Sequence, residues 1–414
     1  MLPSEPDIDK TSGPGALPLE TFGTTLSDLV TPCAQPYPRH SNPPLPASLP
    51  AFAVALSGGG FRATLAGIGV LRFFADAGLL GRVRHLSSVS GGSIANGLFA
   101  KAYPQLKAAG FSADAFVREV EKAAVDRISG ESLTLKLFRN VYRTFGRETR
   151  TTLLAGAFDD WFFGRIKLAA LSPDCRFIFN AANLTTGVRF GFERDVIGDY
   201  VIGNVTTTQR PLSMSLAVAC SAAVPGFFPP YEVKADFPCQ GQWRPKLQDG
   251  GVYENTGTEP LDKLAPDEHC IVALNAGGVF RTGGFGHVPI VRDLMRSEGL
   301  LYRQSTALRM RNLVERFKEW ESRGDEPPPA SALQGVLFAL STSMSATPEW
   351  LEGRSEQAPA NRDHLARLKT SFAKFSREDC RQLVYRGWWL TGAALSRYHR
   401  DLLPASLPAW EARV

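Results

Sequence analysis

Three glycine turns carry the groups able to do chemistry in this sequence: Ser57-Gly58-Gly59-Gly60, Ser90-Gly91-Gly92 and Asp249-Gly250-Gly251. Successive glycines ahead of a helix leave backbone N–H groups uncovered beside the positive end of the helix dipole, which suits an anion. Ser90 has the setting of a nucleophile elbow, a strand-to-helix turn between small residues. The first glycine of the usual G-x-S-x-G is Ser88 here. A nucleophilic serine needs a base in fixed geometry, and Asp249 on its own turn offers one. The first turn lacks G-x-G-x-x-G spacing and no Gly-Lys-Ser/Thr follows, so a nucleotide phosphate fits it less well. The bland alternative is a set of tight turns with no chemistry.

These turns need elements to hold them. Ala53 to Leu56 is a short apolar run that predicts a buried strand. Phe61 to Gly78 has helical spacing, with Leu65, Ile68, Leu71 and Ala75 three or four apart and Gly78 as its stop. His85 to Val89 predicts a second strand, and Ser93 to about Ala102 a second helix. Strand, glycine turn, helix, twice over, is a parallel α/β unit with both turns at the carboxyl edge of the sheet.

SGGGFRA, SVSGG and DGGVYENTG, in that order, resemble the motifs of the patatin-like phospholipases, a family of Ser-Asp dyad lipid acyl hydrolases. Ala219 to Pro230 (ACSAAVPGFFPP) is similar to the family's A-S-S-A-I-P-G-x-F-P-P segment. The resemblance covers about residues 50 to 280. It implies a three-layer α/β/α fold with a central, mostly parallel sheet, a helical insertion and C-terminal helices. It implies Ser90 as nucleophile, Asp249 as base, and Gly58, Gly59 and Gly60 as oxyanion donors. Arg62 would hold a phospholipid phosphate or brace the loop. Phe227 and Phe228 would contact the acyl chain or be plain core. The substrate would be a phospholipid or other lipid ester, met at a peripheral membrane surface. Neither metal nor cofactor is implied. A carboxylesterase or acyltransferase on the same fold, or a catalytically silent lipid-binding protein, are the alternatives. A Ser…Asp…His triad would need His269 or His287, neither of which sits in a recognisable turn motif.

Composition sets the outer bounds. With 414 residues, 44% hydrophobic and 21% charged, the chain is an ordinary globular one with enough length for a large core. A net charge of +5 suits anionic surfaces and gives no sign of nucleic-acid binding. No stretch reaches the roughly twenty apolar residues of a membrane span, and Met1 to Lys10 lacks the form of a signal peptide. A cytoplasmic or peripheral membrane protein is expected, with effector-type delivery open. Six cysteines lie without pairing or metal spacing, which predicts mostly buried free thiols in a reducing compartment.

The expected organisation is a Pro-rich arm over 1–50 and a catalytic domain over 51–285 with a helical insertion at 103–172. Helices packed on that domain follow over 286–414. Within the insertion, Lys136, Arg139, Arg143, Arg147 and Arg150 recur every three or four residues, as on one basic face of a helix from Leu133 to Arg150. Leu137, Val141, Tyr142 and Phe145 would form its other face. Such a helix lies on anionic lipid or turns its apolar side inward. Arg176 to Asn180 and Val188 to Phe192 predict a hairpin, Pro211 to Cys220 a helix, and Cys270 to Ala276 a buried strand. Ser376 predicts the N-cap of a last helix, in which Trp388 and Trp389 are expected to be core.

Overall fold

The strand β1 (Ala51–Leu56) is buried along its whole length. Successive strand residues point to opposite faces. Phe52, Val54 and Leu56 enter the main core, whereas Ala53 and Ala55 enter a smaller second core. A sheet with apolar residues on both faces must be covered by helices on both. The computed structural model, which describes residues 33–34, 50–139, 148–278, 289–324 and 326–414, has that arrangement.

Next to β1 lies β2 (Val83–Val89), and next to that β3 (Arg176–Asn183). On the other side lie β9 (His269–Asn275) and then β10 (Gln334–Ala339). All five run parallel. An antiparallel meander of β4 (Val188–Phe192), β5 (Val196–Asp199) and β6 (Gly203–Thr206) extends the sheet beyond β3. A final hairpin, β7 (Tyr231–Glu232) with β8 (Lys246–Asp249), is attached where β2 stops: β8 pairs antiparallel with the last residues of β3. The mostly parallel centre and the hairpin at Arg176 agree with expectation.

On the main-core face lie α1 (Gly60–Asp76) and α2 (Gly91–Ala108). The insertion follows, with α3 (Ala113–Phe116), a π-helical turn over Val117–Glu121, α4 (Lys122–Gly130), α5 (Leu133–Arg139) and α6 (Arg150–Phe158). Ser112 caps α3, accepting from the Ala115 N–H. Then come α7 (Met214–Ser221), the long α8 (Pro289–Ser322), α9 (Pro348–Leu351), α10 (Pro359–Arg367) and α11 (Arg377–Tyr398). The α8 helix covers the second core through Leu313 and Phe317. Ser376 caps α11, and Trp388 and Trp389 are buried, as expected. The α1 and α11 helices cross at bare glycines. A Cβ on Gly69 would stand 2.0 Å from Val384 O, and one on Gly387 2.0 Å from Ala66 O.

Three expectations change. The region 286–414 is not only helical, because β10 completes the sheet beside β9. The basic helix from Leu133 to Arg150 is not one helix. Thr149 is extended and caps α6 in a reciprocal pair with Thr152, so Arg150 opens a separate helix from Lys136 and Arg139. Arg143, Arg147, Val141, Tyr142 and Phe145 lie outside the described residues, as does most of the 1–50 arm. Third, Cys33 and Cys239 form a disulfide across 206 residues of sequence. The turn between β5 and β6 brings them together: Cys33 N–H donates to Tyr200 O and Cys239 N–H to Ile202 O. The other four thiols, Cys175, Cys220, Cys270 and Cys380, are free and buried, as expected. Among the described residues no helix is long and apolar enough to cross a membrane.

Candidate active site

Ser90 ends β2 in a conformation few residues adopt, with φ 49° and ψ −119°. A non-glycine residue at positive φ is strained and persists only where its surroundings hold it. The hold here is a buried polar network. Ser90 N–H donates to Ser221 Oγ at 2.9 Å, and Ser221 Oγ donates to Asn180 O at 2.6 Å. Ser93 Oγ lies 2.9 Å from Ser221 Oγ and 3.0 Å from Ser88 Oγ, and Asn96 Nδ2 donates to Ser88 Oγ.

The two strand-to-helix turns touch, and glycine allows it. A Cβ on Gly91 would stand 2.0 Å from Gly60 O, and one on Gly92 2.4 Å from Leu56 O. Thr64 Oγ1 ties them by donating to Gly91 O at 2.7 Å. Gly58 faces Ser90 directly, since its Cβ position is 3.1 Å from Ser90 Cβ.

Asp249 reaches Ser90 from the opposite direction. Val89 lies across from Asn180 in β3, and Asp249 lies across from Ala181, the next residue. The ends of β2 and β8 therefore meet over consecutive β3 residues. The Ser90 side chain comes close enough to the Asp249 carboxylate to pull its pKa down. Gly251 N–H donates to Asp249 Oδ1 at 2.8 Å, and the Asp249 backbone N–H donates to Ala223 O. Burial raises the Asp249 pKa to about 6, against the lowering pull of the Gly251 and Ser90 hydrogen bonds.

The three glycines of the first turn are not equivalent. Gly58 N–H is shared between Asn255 O and Asn255 Oδ1, both at 3.1 Å, so it is already engaged. Gly59 and Gly60 have φ of 149° and 61°, and their N–H groups have no protein acceptor among the described residues. Asn255, quoted in the DGGVYENTG motif but given no role there, holds the turn by its first glycine.

Arg62 occupies the bracing position. Its guanidinium donates to Ala276 O, Leu368 O and Thr370 Oγ1. It is buried, and that burial lowers its pKa to about 10. Phe61 N–H donates to Ser371 O, so the 368–371 segment closes over the head of α1. Phe228 is half-buried against the main core, whereas Phe227 is 62% exposed. Both follow Ala223, whose carbonyl holds Asp249.

His269 begins β9 beside Ala51, at the amino edge of the sheet. At about 3.3 Å per residue the length of β1 separates it from the turns by some 15–20 Å. The other described histidines have partners elsewhere: His85 meets His269 edge to face, His364 meets Asp379, and His399 meets Gly335 O. His40 and His287 lie outside the described residues. Among the described residues no group of three or more His, Cys, Asp or Glu could hold a metal.

A family model described as patatin-like phospholipase matches residues 54–262, just over half of the chain. No curated protein matches the sequence. Among solved structures, human GIVD cytosolic phospholipase A2 in complex with methyl gamma-linolenyl fluorophosphonate is similar in fold, with a TM-score of 0.50 at 14% identity over 86% of this chain. This chain spans 59% of that protein's length. VipD from Legionella pneumophila aligns at 12% identity over 84% of this chain and 67% of its own, with a TM-score of 0.39.

Proposed function

The chain belongs to the patatin-like phospholipase family, and on that premise we propose that it is a lipid acyl hydrolase working through a Ser90–Asp249 dyad. The observation that carries this reading is the meeting of β2 and β8 over consecutive residues of β3, which sets Ser90 beside a buried Asp249. Ser90 Oγ attacks the ester carbonyl carbon while its proton passes to Asp249. The carbonyl electron pair moves onto oxygen, which the Gly59 and Gly60 N–H groups receive. A donor so placed is worth about 10²–10³ in rate. Collapse of the tetrahedral adduct breaks the bond to the alcohol, which leaves with the proton from Asp249. Water, deprotonated by Asp249, then releases the fatty acid and restores Ser90. An ordinary aspartate near pKa 4 is a feeble base at neutral pH; burial supplies the missing basicity.

A lipid substrate is supported by the side chains around the dyad. Val224 and Phe227 follow the carbonyl that holds Asp249, Val252 follows Asp249 by three residues, and Leu300 and Leu301 stand on α8. All five are large, apolar and exposed. Exposed apolar side chains on the segments that carry and cover Asp249 suit a contact with something apolar, here the acyl chains and surface of a peripheral membrane. A fluorophosphonate should label one peptide, the one bearing Ser90. An adduct on Ser57, Ser87, Ser88 or Ser93, or no adduct with a folded protein, would overturn the assignment.

A further inference from the structure

The turn that carries Asp249 is covered by a residue from outside the matched family segment. Tyr302 stands on α8, forty residues beyond the end of that match at 262. The point a Cβ would occupy on Gly251 lies 3.1 Å from each of three atoms: Asp249 Oδ1, Asn255 Oδ1 and Tyr302 Cε2. The carboxylate, the amide that engages Gly58 and the edge of the tyrosine ring therefore converge on one bare α-carbon. At its other end Tyr302 Oη lies 3.6 Å from the corresponding point on Gly277. One ring thus spans the glycine turns that follow β8 and β9.

The helix beneath the ring is firmly seated. Leu313 and Phe317 anchor it in the second core, and Arg309 pairs with Glu259 and Asp262. Arg316 pairs with Asp262 as well, and Asn275 Nδ2 donates to Met310 Sδ at the end of β9. The ring is thus delivered by a fixed element.

We propose that Tyr302 is a positioning residue for Asp249: its ring covers the carboxylate's turn, keeps water off the base and holds its open oxygen toward Ser90. This rests on the dyad reading above. The groups facing Asp249 are the Ser90 hydroxyl from the head of α2, the Gly251 N–H from its own turn, the Asn255 amide and the Tyr302 ring. The charged side chains on that side, Arg62 and Glu254, act on Tyr302. Burial raises the phenol's own pKa, so it stays neutral while the aspartate titrates. Removing the ring lets water reach the carboxylate, stabilises the anion and weakens the base.

The test is the acid limb of kcat/KM on a soluble monomeric ester, in the full chain. Tyr302→Ala should move the limb down by about one pH unit, while Tyr302→Phe, which keeps the ring, leaves it in place. If the limb of a folded Tyr302→Ala protein does not move, the proposal fails. It also fails if Tyr302→Phe moves the limb as far as Tyr302→Ala, because then the hydroxyl and not the ring is responsible. Should the alanine variant not fold, Tyr302→Leu, which shortens the cover, is read in the same way. Asp249→Asn separates the two readings: activity retained there sinks the dyad itself, whereas activity lost there with an unmoved Tyr302→Ala limb sinks only the role of Tyr302.

Discussion

Ser90 and Asp249 are brought together by consecutive residues of a third strand. Val89 pairs with Asn180 and Asp249 with Ala181, so β2 and β8 run toward each other along β3 and stop one register step apart. The two residues are held by backbone pairing, which side-chain changes elsewhere do not disturb. A one-residue slip of β8 would turn Asp249 to the other face of the sheet.

The pH profile follows from this burial. Asp249 acts as a base only when ionised, and its pKa is raised to about 6. We expect kcat/KM to rise with pH through about 6 and then level, on a single ionisation. His269→Gln should leave both the limb and the plateau within about tenfold of wild type, because that ring lies at the far edge of the sheet. A profile that lost its limb in His269→Gln would return the histidine to the mechanism.

Stability should run the other way. A carboxyl whose folded pKa lies above its unfolded value of 3.8 costs nothing at low pH, where it is neutral in both states. The cost appears as pH rises from about 4 and is complete above about 6. Asp249→Asn should therefore be inactive yet melt higher than wild type at pH 8, by up to about 3 kcal/mol. The difference should vanish below pH 4. Thermal melts at pH 8 and pH 3.5 check this, and equal melting points at pH 8 would mean that the carboxylate is not under strain.

Gly59→Ala should lose both activity and stability. The sequence alone suggests a loss through kcat with an unchanged melting temperature. The structure adds that a Cβ there would stand 2.4 Å from Ala276 O at φ 149°. A melting temperature lowered by several degrees is now expected together with the loss of kcat. Melting and turnover measured on one preparation decide it, and an active, stable alanine variant would move the anion hole elsewhere.

Phe227 should matter for lipid surfaces. An exposed phenylalanine that enters a lipid phase contributes about 1.5–3 kcal/mol. Phe227→Ser should then weaken co-sedimentation with phospholipid vesicles by about tenfold or more. Charge reversal at Lys136 and Arg139 should change it less, since Lys136 pairs with Asp160 and the basic stripe is divided between two helices. The reverse ranking would restore the basic face as the docking surface.

The legible parts of this molecule were the local ones. SGGGFRA, SVSGG and DGG announce themselves because a sharp turn at a strand end tolerates few residues, and those turns carry the proposed dyad. The apolar run of β1 and the cap at Ser376 could be read because each signal lies within a few neighbouring residues. What stayed hidden depends on distant pairs. Cys33 and Cys239 meet only because both bind the turn between β5 and β6. Gly58 loses its free N–H to Asn255, 197 residues away. Tyr302 has no motif around it, and its role follows from where α8 lands. The basic stripe misled because spacing of three and four persists across a helix break when the broken segment is itself rich in arginine.

The brace at Arg62 has a consequence for the making of the protein. Its guanidinium is satisfied by Leu368 and Thr370, 306 and 308 residues further along the chain. A nascent polypeptide emerging from the ribosome holds Ser90 and Asp249 long before those carbonyl and hydroxyl partners exist. Until they arrive, the guanidinium beneath the glycine turn has only Ala276 O to bind and lacks the segment that closes over it. On the proposed function, competence to cleave lipid would thus be acquired late, when the segment at 368–371 has folded back over the first glycine turn.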